Sequence, residues 1–436
     1  LRSAVVVQFF AGAAAAPLST LAFMYMLEPL PPAWKMRLGL PMVMAILSAG
    51  PALARVISPS LMGDVGWGPL HLMTLGMAAV SLALVYALPL ASLPRIKVIA
   101  AMDLVSWLLI ALGFGSLTVA FTMGATFWWT ATPWLGWVLA LAAVTLTAAV
   151  VIELHRKTPL LDIRWLASPA IVHLTLTLLI FRLVLSEQSS GAPRMFMVLG
   201  VTQNQLVPLF AVITAATVAG GLALIPFMQP KRVPALHVVA LTLFCIGAFM
   251  DSQSTIDTRP AQMLLSQALI AFSGSFYLAP AMMSGLMVAM AKGPNYLLSF
   301  VVVFISTQSL GGAMGSGLFS TFINHRQALH LQVLREDLTA ADPQTTAAIV
   351  QRMAQLASQI PDLAAQKAQA VALIAQDASN QAYVMAYNDA YLLTFAVAAI
   401  ALFALLLHMF RDWMVARMPP TPVSSPDISA NSEPAK

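Results

Sequence analysis

The sequence predicts an all-α, polytopic membrane protein, on three observations. Of its 436 residues 59% are hydrophobic and only 9% are charged, whereas soluble domains carry roughly 25% charged residues. Apolar runs near the ~20 residues that a spanning helix needs recur at 4–27, 38–62, 69–90, 98–122, 133–154, 169–187, 206–228, 235–250, 261–287, 297–322 and 389–410, eleven in all. Lysine and arginine also divide unequally between alternate sides of these runs. One side holds Lys35, Arg37, Arg95, Lys97, Arg156, Lys157, Arg164, Lys231, Arg232 and Lys292, with Arg411, Arg417 and Lys436 in the tail; the short loops opposite hold only Arg194 and Arg259. The excess of positive charge marks the cytoplasmic side, so the first run begins outside and runs inward.

In chain order, the first run carries Gln8 and Pro17. The second carries a Gly50-Pro51 break and Arg55, with no acid within six residues of it. A membrane helix tolerates such a break where neighbouring helices or water satisfy the freed backbone groups. An arginine at that depth costs at least about 2.5–3.5 kcal/mol and so faces a bundle interior or a wet cavity. Arg182 lies in the short run 169–187, where snorkelling to the interface is the ordinary alternative. Asp103 and Glu153 mark the cytoplasmic ends of the fourth and fifth runs, close in sequence to Lys97 and to His155-Arg156-Lys157; structural ion pairing is their simplest role. Glu187 and Asp389 read as solvated groups near the external face. Gln8, Gln267 and Gln308 are amides within spans, suited to bonding a neighbouring helix or lining a cavity. Gly311, Gly312, Gly315 and Gly317 form a smooth packing face that could also slide, and Phe276-Tyr277 beside Pro280 are candidates for an aromatic pocket wall.

One segment does not fit the bilayer. Residues 324–388 are polar and external, with a helix start at Asp342-Pro343 and helical spacing from Ile349 to Leu363 that Pro361 divides. This reads as a helical hairpin that either packs on itself or docks an external partner. The Pro- and Ser-rich tail 419–436 reads as disordered.

Other chemistries find no support. The chain has no phosphate-binding G-x-x-x-x-G-K-[ST] loop, its seven histidines form no metal motif, and its single Cys245 excludes a disulfide framework. No cofactor, metal or enzymatic activity is expected. The net charge of +5 fits cytoplasmic loops facing anionic lipid rather than nucleic acid.

Several stretches together resemble one family. They are Gln8 with Pro17-Leu18-Ser19, Gly50-Pro51, Trp67, Asp103, Glu153 with Pro159-Leu160-Leu161-Asp162, and Gln308 with Gly311-Gly312 and Gly315. Gln381-Ala382 with Ala386-Tyr387-Asn388-Asp389 resembles the entry to the last helix in pumps that work with a periplasmic adaptor. In order and spacing they resemble the EmrB/QacA-type fourteen-helix drug:proton antiporters of the major facilitator superfamily. The resemblance implies a major facilitator fold in which the eleven runs are the fourth to fourteenth helices and the first three lie outside this chain. Residues 1–90 would then be the remnant of a first bundle, 91–165 two inserted helices, and 166–436 the second bundle with its hairpin. It implies a multi-pass protein of the bacterial inner membrane that exports amphipathic drugs or toxic compounds against protons. A periplasmic adaptor and an outer-membrane channel would be its partners.

The sequence departs from the family pattern at Val5, Phe9, Ala54-Arg55, Ser58-Pro59 and Thr307, and the acids commonly tied to proton coupling would lie on the absent first helix. A narrow exporter of one metabolite or organic acid shares these features, and the embedded arginines favour an anion. A non-transporting relic is the other alternative. Gln8, Gly50, Pro51, Arg55, Asp103, Arg182, Gln267, Phe276, Tyr277 and Gln308 are the candidates for substrate binding or coupling.

Overall fold

A computed structural model describes residues 2–31, 34–62, 66–89, 100–338 and 342–417. Arg95, Lys97 and the tail 419–436 lie outside the described residues. Helices make up nearly all of what is described, and no strand occurs among the described residues. They are α1 (Arg2–Leu27), α2 (Leu40–Leu61), α3 (Gly68–Ala87), α4 (Ala101–Phe127), α5 (Pro133–His155) and the short α6 (Ile163–Leu166). There follow α7 (Pro169–Val184), α8 (Glu187–Ser190), α9 (Ala192–Val198), α10 (Val207–Leu224) and α11 (Val233–Asp251). The chain continues as α12 (Leu264–Lys292), α13 (Pro294–Asp337), α14 (Pro343–Leu356) and α15 (Leu363–Arg417).

Ten helical segments among the described residues are long and apolar enough to cross a membrane. Ten of the eleven expected runs therefore stand as such. The remaining one, α1, is helical, but its described residues supply only a shorter apolar helix, Val5–Ala15. Proline at the first turn opens most of these helices, including α5, α7, α10, α11 and α13, where its missing N–H would have had no partner anyway.

Large apolar side chains point outward along most spans, and α3 buries no residue at all. In a bilayer that surface is solvated by lipid, so packing inside depends on close approach more than on excluding water. Two glycines show this. A Cβ on Gly221 would strike Ala45, where α10 crosses α2, and one on Gly317 would strike the Phe121 backbone, where α13 crosses α4. Trp129 Nε1 donates to Thr321 Oγ1 at 2.9 Å and Asn324 Nδ2 to the Ala125 carbonyl at 3.2 Å, fixing the α4–α5 pair on α13. The core joins α2 to α7 and α10–α13, with α15 against α11 and α13.

Two expectations need correction. The run 169–187 does not end there: the helical path continues through α8 and α9 to Val198, so Arg194 lies on a helix and not in a loop. The segment 324–388 does hold the expected helical hairpin, α14 against the first part of α15, but it is not separate from the spans: α13 extends unbroken to Asp337, and α15 starts at Leu363 and continues into its apolar stretch. Pro361 does mark the divide, since it falls between α14 and α15.

Candidate functional site

The path from α7 to α9 is a membrane helix broken at Leu185–Ser186 and again at Gly191. Broken helices persist at membrane depth only where protein or water satisfies the freed groups. Here the Gly191 N–H donates to the Glu187 carbonyl at 2.6 Å, and a Cβ on Gly191 would collide with that carbonyl and with the Tyr391 ring. A glycine is therefore required for α15 to approach the break.

One face of this broken helix carries Arg182, Ser186, Ser190 and Arg194 at four-residue intervals, opposite Gln308, Gly312, Ser316 and Ser320 at the same interval on α13. Arg182 Nε donates to the Gln308 carbonyl at 3.1 Å, Ser190 Oγ to Ser316 Oγ at 2.8 Å, and Arg194 Nη1 to Ser320 Oγ at 2.7 Å. The two helices run parallel with a constant offset, which survives the breaks. Gly311 and Gly312 form the bed for the Arg182 side chain, and Gly315 admits Ser186, so the glycine face is filled by this polar row. Arg55, on α2, lies over the Phe210 ring at 5.0 Å and within electrostatic reach of Arg194. Among the described residues none of Arg55, Arg182 and Arg194 has a carboxylate within ion-pairing distance. The buried Gln308 Nε2, beside Arg182, has no acceptor.

Inward of Arg182 lies a cavity of about 310 Å³ between α4, α5, α7 and α13. Ile110, Phe114, Leu146, Val150, Leu179 and Leu310 make its walls almost wholly apolar. Leu179 lines this space and rests with the Arg182 stem on Gly311, so Arg182 lies one helical turn beyond the cavity's lining. Arg182 is 13 residues into its helix, about 20 Å from the Pro169 end at 1.5 Å per residue, and the helical path continues for a further 16 residues to Val198.

The opposite face of the break carries Glu187, wholly buried at 0% exposure, against Asp251 at 1% and Gln267 at 0%. The two carboxyl groups share the side-chain amide of Gln267. Gln267 Nε2 donates to Asp251 Oδ2 at 2.6 Å and reaches Glu187 Oε1 at 3.4 Å, while Ser266 Oγ donates to Asp251 Oδ1. Asn388 Nδ2 holds the turn after Asp251 through the Ser254 carbonyl at 2.7 Å. Glu187 is thus the reverse of the solvated group expected, because α11, α12 and α15 close over it. Asp389 is not simply solvated either; it accepts from Arg326 Nε and pairs with His330 Nε2, both at 2.6 Å.

Where α4 begins and α5 ends, Arg156 bridges Asp103 at 2.5 Å and Glu153 at 2.8 Å. Asp103 also caps its helix by accepting from the Ala100 N–H at 2.7 Å. Glu153 accepts from Ser106 Oγ and, at 3.1 Å, from the Leu161 N–H. The hydrogen bond that Arg156 donates to Asp103, then the one it donates to Glu153, holds its guanidinium above the ordinary range. Ion pairing is present here, through Arg156.

The remaining candidates fall apart from these groups. Gln8, Gly50 and Pro51 are exposed, and α2 continues unbroken through Gly50-Pro51. Phe276 and Tyr277 are buried core, not cavity wall: Phe181 stacks on Tyr277 at 3.7 Å and Phe272 on Phe276 at 5.2 Å. Of the ten, Arg182 meets Gln308 and Gln267 meets the carboxyl pair. Arg194, Glu187 and Asp251 were not singled out from the sequence. The available signal was the apolar stretch 192–199 resuming directly after Ser-Glu-Gln-Ser-Ser-Gly.

Compared with known protein families, the chain matches no family model, and no curated protein matches it either.

Proposed function

We propose that this chain is the membrane unit of a proton-driven exporter of amphipathic compounds in a bacterial inner membrane, and that acidic amphiphiles are its preferred cargo. One observation carries this reading: about one helical turn beyond the lining of an apolar cavity between the helices sit an arginine without a counter-ion among the described residues and a buried amide N–H without an acceptor. An apolar body in the cavity with its anionic group on Arg182 and Gln308 would satisfy both. A pocket of this size and lining, with few convergent polar groups, suits small organic ligands. The sequence resemblance to drug:proton antiporters supports the transport class. The outward continuations of α13 and α15, with α14 packed on α15 through Arg352–Asp377 at 2.7 Å, support docking of a periplasmic adaptor.

Resistance of cells to a panel of acidic, neutral and cationic amphiphiles tests the reading. Arg182→Leu should lower export of the acids by about 10–100-fold, the worth of a charge-assisted hydrogen bond of about 1.5–3 kcal/mol, with cations little affected. Unchanged export of acids by a normally inserted Arg182→Leu protein would reject it. A response confined to one acid would favour the narrow exporter over the broad pump.

A further inference from the structure

We propose that Glu187, Asp251 and Gln267 form a buried binding site for a monovalent cation, a proton or a sodium ion, near the external ends of α8, α11 and α12. Its role as the coupling-ion site rests on the export reading above; the site itself does not.

Two carboxyl groups alone would not define a site, but the hydrogen-bond ledger around them does. Asp251 uses both oxygens, one toward Ser266 and one toward Gln267. Glu187 Oε2 and Gln267 Oε1 are fully buried acceptors that receive no donor. Every unmet need is thus for a donor or a cation, at the point where two carboxyl groups meet. Two carboxyl groups joined by one amide in a closed interior hold their protons jointly. Leaving both ionised without a counter-charge would cost several kcal/mol per ion.

Among the described residues no fixed cation relieves the pair. From α8 it is faced by Gln188, whose amide donates to the Gln267 carbonyl at 3.2 Å; from α12 by Ser266 and Gln267; and from α15 by Tyr391 and Thr394. Tyr387 follows beyond Tyr391, and Arg194 lies beyond Tyr387. Asp251 also ends α11, where the helix macrodipole is negative and favours a cation.

The placement gives this site a lever. Glu187 lies in the four-residue α8, whose neighbours Ser186 and Ser190 belong to the polar row against α13. A cation arriving at Glu187 acts on the same short segment that holds the Arg182–Arg194 row in register.

The test uses the full chain in lipid nanodiscs without any transported compound, and the probe is the ion alone. Infrared difference spectra are recorded across a pH titration in KCl and again in NaCl. Wild type should show a protonated-carboxyl signal that titrates and is lost in both Glu187→Gln and Asp251→Asn. If NaCl in place of KCl removes the signal, the ion is sodium; if it does not, the ion is a proton. Should either isosteric variant fail to insert, Gln267→Ala keeps both carboxyl groups and should shift the titration midpoint. A wild type with neither a titrating nor a sodium-sensitive carboxyl signal overturns the proposal. So does a signal that survives either substitution at full amplitude, or a midpoint unmoved in Gln267→Ala. Loss of the site in this experiment leaves the Arg182 export test standing, and failure of that test leaves the infrared result standing.

Discussion

Two clusters in this molecule use the same chemical parts and arrive at opposite charge balances. Where α4 begins and α5 ends, Asp103 and Glu153 share Arg156, with a serine and two backbone N–H groups completing the set. Near the external ends of α8 and α11, Glu187 and Asp251 share Gln267, again with a serine, and no arginine. The first is compensated within the protein and acts as a clamp between the two helices and the connector after them. The second is closed over by helices yet has no positive partner among the described residues, which leaves its charge balance to a bound cation. A fixed cation makes a joint; its absence makes an ion site.

The largest effect should come from making the second cluster resemble the first. Gln267→Lys would place an ammonium between the carboxyl groups at a position of similar length. Insertion should be normal and thermal stability equal or higher, while proton-driven export in vesicles falls to the level of vesicles lacking the protein. Full export by this variant would remove the distinction drawn here between joint and ion site.

How much of this was legible beforehand follows from range. Spans are local, so apolar run length located the ten long helices to within a few residues at most ends, and Asp342-Pro343 correctly opened α14. Where helices outlast the bilayer, as in α13 and α15, the apolar signal stops although the backbone does not, and the polar extension reads as a separate hairpin. Glu187 and Asp251 are 64 positions apart, each at the edge of an apolar run, where an acid normally means the start of water. Only the packing of α15 over them makes them interior. Arg182 and Gln308 were visible as anomalies, but their 126-residue register is a tertiary fact.

A smaller effect should follow from breaking the first cluster in the direction of the second. Arg156→Met removes its only cation among the described residues and leaves Glu153, 3% exposed, short of a donor. A buried acceptor left unsatisfied costs about 1–3 kcal/mol, so melting in detergent should shift downward by several degrees. Export by the protein that remains folded should persist, since the triad belongs to the α4–α5 pair and lies apart from the Arg182 end of the cavity. Equal loss of export and stability would mean that the inner cluster also moves during transport.

The smallest effect sharpens the comparison with a third carboxylate, balanced neither by a cation nor by a neighbouring carboxyl group. Asp342, outside the membrane spans, caps α14 by accepting from the Thr345 N–H at 2.8 Å and from its hydroxyl at 2.8 Å. The backbone N–H first, and the hydroxyl next, hold this carboxyl below the ordinary aspartate range. Because the folded value is the lower one, its contribution to α14 is fully present above about pH 3.9 and is lost as pH falls through the folded value. Hydrogen exchange across 343–356 should therefore quicken a few-fold in acid. Asp342→Asn, which keeps an acceptor but cannot titrate, should abolish that acid response, and Asp342→Ala should quicken exchange at every pH. An acid response that persists unchanged in Asp342→Asn would assign it to another group, since dipoles alone would then be holding α14 in place.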